Sequence, residues 1–86
     1  MSAKNKRVGF VGIIIKDRKK HSPAVNEVLT DFGDIIVART GIPYHERNIC
    51  VITVIVDATT DEVGSLTGKL GRIPGVSVRS ALSTLA

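Results

Sequence analysis

Two stretches of this chain alternate like β-strands, and both of their faces are apolar. The longer stretch covers residues 49–56. One of its faces carries Cys50, Ile52, Val54 and Val56, and the other carries Ile49, Val51 and Ile55. Residues 8–15 repeat the pattern, because successive side chains of a strand point to opposite sides of a sheet. A short chain cannot cover both faces of a sheet by itself, so the second face predicts a homo-oligomer, a dimer or a tetramer.

The first half of the chain predicts a strand, a helix and a second strand. Arg7–Ile15 is the first strand, and the polar residues 16–22 connect it to a helix. We expect the helix to begin at Ser22-Pro23, a cap residue followed by the proline of the first helical position. Gly33 is expected to end it in the left-handed conformation, and the next strand should span Asp34–Thr40.

The second half repeats this plan without a linker. Glycine and proline in residues 41–46 predict a hairpin turn into a long strand, Arg47–Asp57. Thr59 and Glu62 form a capping-box pattern at the start of a second helix, which should end at Gly71. The last strand is predicted at residues 76–80. The order βαββαβ indicates an α+β, ferredoxin-like fold, in which two helices lie on one face of a four-stranded antiparallel sheet.

Length and composition indicate the domain organisation and the cellular location of the protein. The 86 residues form a single domain, residues 1–86, in which residues 1–6 are expected to be a disordered tail. No apolar stretch approaches the ~18 residues of a membrane span. The basic start resembles a signal peptide only superficially, because no small-residue cleavage site follows the apolar stretch. We therefore expect a cytoplasmic protein that does not bind membranes.

A net charge of +4 raises the alternative of a nucleic-acid-associated transcriptional regulator. The basic residues form two clusters, one in residues 4–7 and one in residues 16–20. These lie at opposite ends of the first strand, roughly 25 Å apart at about 3.3 Å per residue. RNA-binding sheets also need exposed aromatic residues, and the chain contains one Tyr, two Phe and no Trp. We do not expect nucleic-acid binding by a single copy, although oligomerisation would bring the basic segments together.

No residue pattern indicates catalysis. The connection after the first strand lacks the glycines of a phosphate cradle, and no serine is spaced to form a nucleophile and base with His21 or His45. His45 and Cys50 are a possible metal pair, with His21 as a third ligand from another subunit. Their five-residue separation places them on opposite strand faces unless His45 lies in the hairpin. We expect a non-enzymatic protein without a cofactor, and we assign no metal ligand.

Two long stretches carry a family resemblance. DIIVARTGIPY at residues 34–44 and TTDEVGSLTGKLGRIPGVSV at residues 59–78 resemble the small ACT-like proteins described as proposed regulators of the iron-only hydrogenase system in anaerobic bacteria. The resemblance extends over residues 7–82. It implies an ACT-like ferredoxin fold, similar to the sensing domain of nickel-responsive repressors, which assembles as a dimer or a higher oligomer. A metal-responsive sensor of the nickel type is therefore a further alternative.

The resemblance is incomplete at the loop where ACT domains bind amino acids. ACT domains often follow the first strand with Asp-Arg-Pro-Gly, and here Asp17-Arg18 match while Lys19-Lys20 replace the proline and glycine. We expect a regulatory module that binds a small ligand near a subunit interface or docks onto a protein partner. The candidate ligand-binding residues are Asp17, Arg18, Tyr44, His45 and Arg47. An aromatic ring, an imidazole and guanidinium groups suit an anionic or planar ligand.

Overall fold

The computed structural model describes residues 5–85, and it contains one four-stranded antiparallel sheet with strand order β2-β3-β1-β4. In chain order the elements are β1 Arg7–Lys16, α1 Arg18–Asp31, β2 Ile36–Tyr44, β3 Ile49–Ala58, α2 Thr60–Gly71 and β4 Val76–Leu82. The predicted ferredoxin-like, ACT-like βαββαβ fold is confirmed. Residues 1–4 of the predicted tail lie outside the described residues. Neither helix in the described chain is long and apolar enough to cross a membrane.

The core lies between the helices and one face of the sheet. Alternate residues of the two central strands supply its sheet side, and the apolar stripes of α1 and α2 supply the rest. The buried residues include Val11, Ile13 and Ile15 of β1, Ile52, Val54 and Val56 of β3, Val25 and Leu29 of α1, and Val63, Leu66 and Leu70 of α2. This is the alternation that the sequence predicted for β1 and β3.

The opposite face of the sheet carries no helix, and we call it the open face. Its apolar side chains are Val8, Phe10 and Ile14 of β1, Ile42 and Tyr44 of β2, and Val51 and Ile55 of β3. Phe10 is 54% exposed and lies opposite Ile55, which is 44% exposed. Val51 lies between Ile14 and Ile42 in the paired strands. Apolar side chains therefore lie on three adjacent strands of the open face, on both sides of a central row formed by Thr40, Thr53, Gly12 and Arg79.

The first helix begins earlier than the sequence predicted. It starts at Arg18, so most of the predicted polar loop is its first turn, and Pro23 lies inside the helix. Asp17 precedes the helix in the left-handed conformation, with φ 50° and ψ 68°. Pro23 is the sixth helical residue, where it lacks only the N–H that would bond to the Lys19 carbonyl. The expected start was wrong because proline was assigned to the first helical position.

The end of this helix also differs from the prediction. Phe32 is its C-terminal cap, and its N–H donates to the carbonyls of Val28 and Thr30. Gly33 has no positive φ and opens a 3-10 turn, Gly33–Ile35. The second strand consequently begins at Ile36, two residues later than expected, and runs on to Tyr44. Residues 41–44, assigned to the hairpin loop, belong to the strand.

The hairpin between β2 and β3 is confirmed, with a 3-10 turn, His45–Arg47, as its tip. β2 lies at the edge of the sheet and pairs with β3 alone. A β-bulge at Val37 interrupts this pairing between Ile36 and Ala38. Val37 is 67% exposed at the bulge.

The second helix begins and ends as predicted, and its capping box is present. The Glu62 N–H donates to Thr59 Oγ1 at 3.1 Å, and the Thr59 N–H donates to Glu62 Oε1 at 2.9 Å. The backbone hydrogen bond from Thr59 lowers the pKa of Glu62 below its ordinary value of 4.5. Two N–H groups that an α-helix leaves unpaired are thereby satisfied.

The Thr59→Ala variant should lose about 1 kcal/mol of unfolding free energy, because the helix loses its N-cap acceptor. The stabilisation that Glu62 provides should be present above pH 4.5 and disappear as the pH falls through the lower pKa of the folded state. Urea unfolding of the wild type and of Glu62→Gln, measured from pH 7 to pH 3, tests this. Equal acid sensitivity of the two proteins would contradict the role of the ionised carboxylate.

Candidate functional site

The end of β1, the start of α1 and the hairpin tip meet at one end of the sheet. Lys16 of β1 pairs with Ile49 of β3, and Asp17 follows the first while Asn48 precedes the second. Asp17 and Asn48 both adopt the left-handed conformation, with φ of 50° and 53°. The Asp17 N–H donates to the Asn48 carbonyl at 3.1 Å. The Asn48 N–H donates to the His45 carbonyl, also at 3.1 Å. These bonds hold the start of α1 beside the hairpin tip.

A cavity of about 220 Å³, which we call the basic cavity, lies at this junction. Its lining residues are Arg18, Lys19, His45, Asn48 and Ile49. None of these described lining residues is acidic, and the first turn of α1 also lacks an acidic residue. The backbone N–H groups at a helix start carry partial positive charge and add to that of the side chains. The lining of the basic cavity therefore favours an anion, while the carboxylates of Asp17 and Glu46 follow next to it in the chain.

The five predicted ligand-binding residues lie around this junction but not in one cavity. Arg18 and His45 line the basic cavity together, and Asp17 contributes its backbone bond to Asn48. Tyr44 lies opposite Ile49 at the end of the open face and is 45% exposed.

Arg47 lines a separate, shallow depression. Its other lining residues are Ile14, Lys16, Ile49, Gly75, Val76 and Ser77. Ile49 belongs to both this depression and the basic cavity, so the two are neighbours.

The sequence reasoning missed Asn48 as part of this junction. An asparagine directly before a strand is a recognisable signal for a left-handed residue, because its short polar side chain tolerates positive φ. Lys19 was recognised as one of several charges in a polar loop and as the replacement of the ACT-domain proline, but not as a residue of the site. The helical start places its side chain at the cavity beside His45.

The residues considered for metal binding lie in different surroundings. Cys50 is a half-buried free thiol on the helix side of β3, whereas His45 lies in the hairpin tip. His21 is a residue of α1 whose ring lies against Gly75. Among residues 5–85, no group of three or more His, Cys, Asp or Glu side chains could hold a metal ion.

The comparisons with known proteins agree with this fold. Residues 7–80 match the model of the TM1266-like family, described as "Iron-only hydrogenase system regulator, putative". The solved structure of the uncharacterized protein TM1266 from Thermotoga maritima shares 38% sequence identity, with a TM-score of 0.86, and the match covers 90% of this chain and 96% of that one. A comparison with curated proteins gives no match.

More distant solved structures share the fold alone. The ACT domain of a GTP pyrophosphokinase from Chlorobium tepidum is 19% identical, with a TM-score of 0.71, over 88% of this chain and 99% of that one. SnoaB, a cofactor-independent oxygenase from Streptomyces nogalater, is 12% identical, with a TM-score of 0.59, over 94% of each chain. The same fold thus occurs in an ACT domain and in an oxygenase, so fold alone does not give function. The family match spans nearly the whole chain, and the protein belongs to the TM1266-like family.

Proposed function

We propose that this protein is a non-enzymatic regulatory module that acts as a homo-oligomer and binds a small ligand near the subunit interface. The observation that carries the proposal is the open face. Monomeric proteins rarely expose large apolar patches, and such patches are typical of interaction sites. Phe10, Ile14, Ile42 and Ile55 contribute to it, each between 44% and 57% exposed.

A second copy of the chain is the partner that suits this surface. In a two-fold dimer the same face of both copies meets, so an apolar patch is automatically opposed by an apolar patch. The charges at the two ends of the open face have opposite sign, because Asp57 lies opposite Val8 at one end and Lys16 lies opposite Ile49 at the other. If the sheets pack with their strands running in opposite directions, Asp57 of one copy faces Lys16 of the other. The apolar rows and the charges at the two ends are then complementary, and Arg79 lies in the central row of each copy.

The position of the basic cavity supports a ligand site next to such an interface. Ile49 borders the basic cavity and also belongs to the sheet face that carries Tyr44. A ligand bound beside Arg18 and His45 would therefore lie within reach of the subunit contact. Binding at this place could change how two copies pack, which is the basis of regulation by a small molecule.

Light scattering coupled to gel filtration tests the oligomer. We expect the wild-type chain to be a dimer or tetramer at micromolar concentration and the Ile55→Glu variant to be a monomer, because the new carboxylate would be buried without a partner. Ala24→Glu places the same charge on an exposed position of α1, in the opposite layer, and should leave the assembly unchanged. Circular dichroism confirms that both variants fold. A monomeric wild type would contradict the proposal.

A thermal-shift screen of amino acids, nucleotides and divalent metals tests ligand binding. A ligand that binds the folded state alone raises the melting temperature, and the rise depends on its concentration. Titration of an oligonucleotide at two salt concentrations covers the nucleic-acid alternative, since contacts with phosphates weaken steeply as salt increases. Salt-sensitive oligonucleotide binding without any small-molecule shift would favour that alternative over the proposed function.

A further inference from the structure

A groove separates α1 from the edge strand β2 on the helix side of the sheet. The two helices cover the central strands, whereas every residue of β2 from Val37 to Tyr44 is exposed. The groove has a volume of about 310 Å³. Its lining residues are Arg18, Ser22 and Asn26 of α1, Arg39, Gly41 and Pro43 of β2, and Cys50 and Ile52 of β3.

The space above the floor of the groove is open because β2 contributes little side-chain volume there. The floor itself is formed by Ile52 and Cys50 of β3. Gly41 lies opposite Ile52, and a Cβ at Gly41 would sit 3.6 Å from Ile52 Cγ1. Pro43 lies opposite Cys50 in the same way. A larger side chain at position 41 would fill the space above Ile52. The groove is thus a consequence of the glycine and proline in the edge strand.

The walls of the groove carry two guanidinium groups. Arg39 Nη2 donates to Asn26 Oδ1 at 2.9 Å, which holds this side chain across the groove between β2 and α1. Arg18 is half-buried at the other end of the same helix face. None of the described residues that line the groove is acidic. Guanidinium groups with free N–H donors bind planar two-oxygen acceptors such as carboxylates.

We propose that this groove binds a small organic anion, whose carboxylate is held by Arg39 and whose short apolar body rests on Ile52 and Pro43, with the charge of Arg18 at the far end of the groove. A volume of 310 Å³ lies at the lower end of the range for ligand pockets, which suits a small metabolite. Arg18 also lines the basic cavity, so the occupied groove contacts the junction where α1 meets the hairpin tip. The groove and the basic cavity share only Arg18, so the groove is a second site and the inference goes beyond the proposed function.

Cys50 is the only cysteine of the chain and lies in the groove, so it reports occupancy directly. The rate of its alkylation by iodoacetamide is measured with butyrate, with the neutral butyramide and with inorganic phosphate. Butyrate at ten times its Kd should slow alkylation about tenfold, because only the unoccupied protein reacts. Butyramide should have no effect at the same concentration, and phosphate should protect far less because it lacks the apolar body.

Arg39→Gln should raise the butyrate concentration needed for half-maximal protection of Cys50 at least tenfold. Arg72→Gln removes the same charge from an exposed position after α2 that does not line the groove, and it should behave like the wild type. The proposal is overturned if butyrate does not slow alkylation, if butyramide or phosphate protects equally well, or if Arg39→Gln is protected like Arg72→Gln. If butyrate fails these tests while another ligand raises the melting temperature, the groove proposal is overturned and the proposed function stands.

Discussion

Replacing Gly9 by alanine is expected to lower the free energy of unfolding by about 3 kcal/mol, at the upper end of the range for overpacked sites. Gly9 is buried in β1 opposite Leu82 of β4. A Cβ at this position would overlap the Ala81 carbonyl oxygen and lie 2.7 Å from Leu82 Cδ2. Because one of these atoms belongs to the backbone, the clash cannot be relieved by a side-chain rotation alone. The end of β4 must move away from β1.

Gly12 provides a matched control within the same strand. A Cβ there would have Arg79 O as its nearest neighbour, at 4.0 Å, which leaves room for a methyl group. Gly12→Ala should therefore change stability by less than about 1 kcal/mol, with a gain possible because alanine loses less backbone entropy than glycine on folding. Urea unfolding at one protein concentration compares the variants. Similar stability of Gly9→Ala and Gly12→Ala would show that β4 does not approach β1 as closely as described.

Replacing Gly75 by alanine should cost about 2 kcal/mol. Gly75 has a φ of 77°, a conformation that costs roughly 1–2 kcal/mol for a residue with a Cβ. The added Cβ would also lie 2.7 Å from Cδ2 of His21 and 3.3 Å from the carbonyl oxygen of Lys16. The Lys16 N–H donates to the Gly75 carbonyl at 2.7 Å, so a shift of the turn would strain this bond.

The two causes of this loss can be separated in the His21→Ala background. Without the imidazole ring the clash with His21 disappears, whereas the cost of the positive φ and the tight contact with the Lys16 carbonyl oxygen remain. Gly75→Ala should therefore cost less in the His21→Ala protein than in the wild type, but still about 1 kcal/mol or more. Thermal unfolding of the four proteins of this double-mutant cycle gives the difference. An identical loss in both backgrounds would mean that the His21 ring moves away without cost.

The elements with strong local signals were predictable from the sequence. The alternation in β1 and β3 identified the buried face, because in a strand every second side chain must point to the same side of the sheet. The second helix was equally clear, since the capping box at Thr59 and Glu62 fixes its start through two local hydrogen bonds. In both cases the signal lies within a few residues of the element that it specifies.

The start of α1 and the composition of the site depended on contacts between distant segments. Residues 18–22 are polar and show no apolar period, so nothing local favoured a helix there over a loop. The bond from Asp17 to the Asn48 carbonyl joins residues that are far apart in sequence. For the same reason the sequence did not predict that His45 would face the basic cavity while Arg47 borders the neighbouring depression.

The bulge and the proline in the edge strand have a consequence for how the sheet resists aggregation. An outer strand offers unpaired backbone groups to any passing chain, and proteins often block such edges with bulges or prolines. Here the bulge at Val37 interrupts the strand near its beginning, and Pro43 has no N–H to offer near its end. Only the short segment between them remains suitable for pairing. The bulge and the proline therefore leave little of β2 available for open-ended, fibril-like growth.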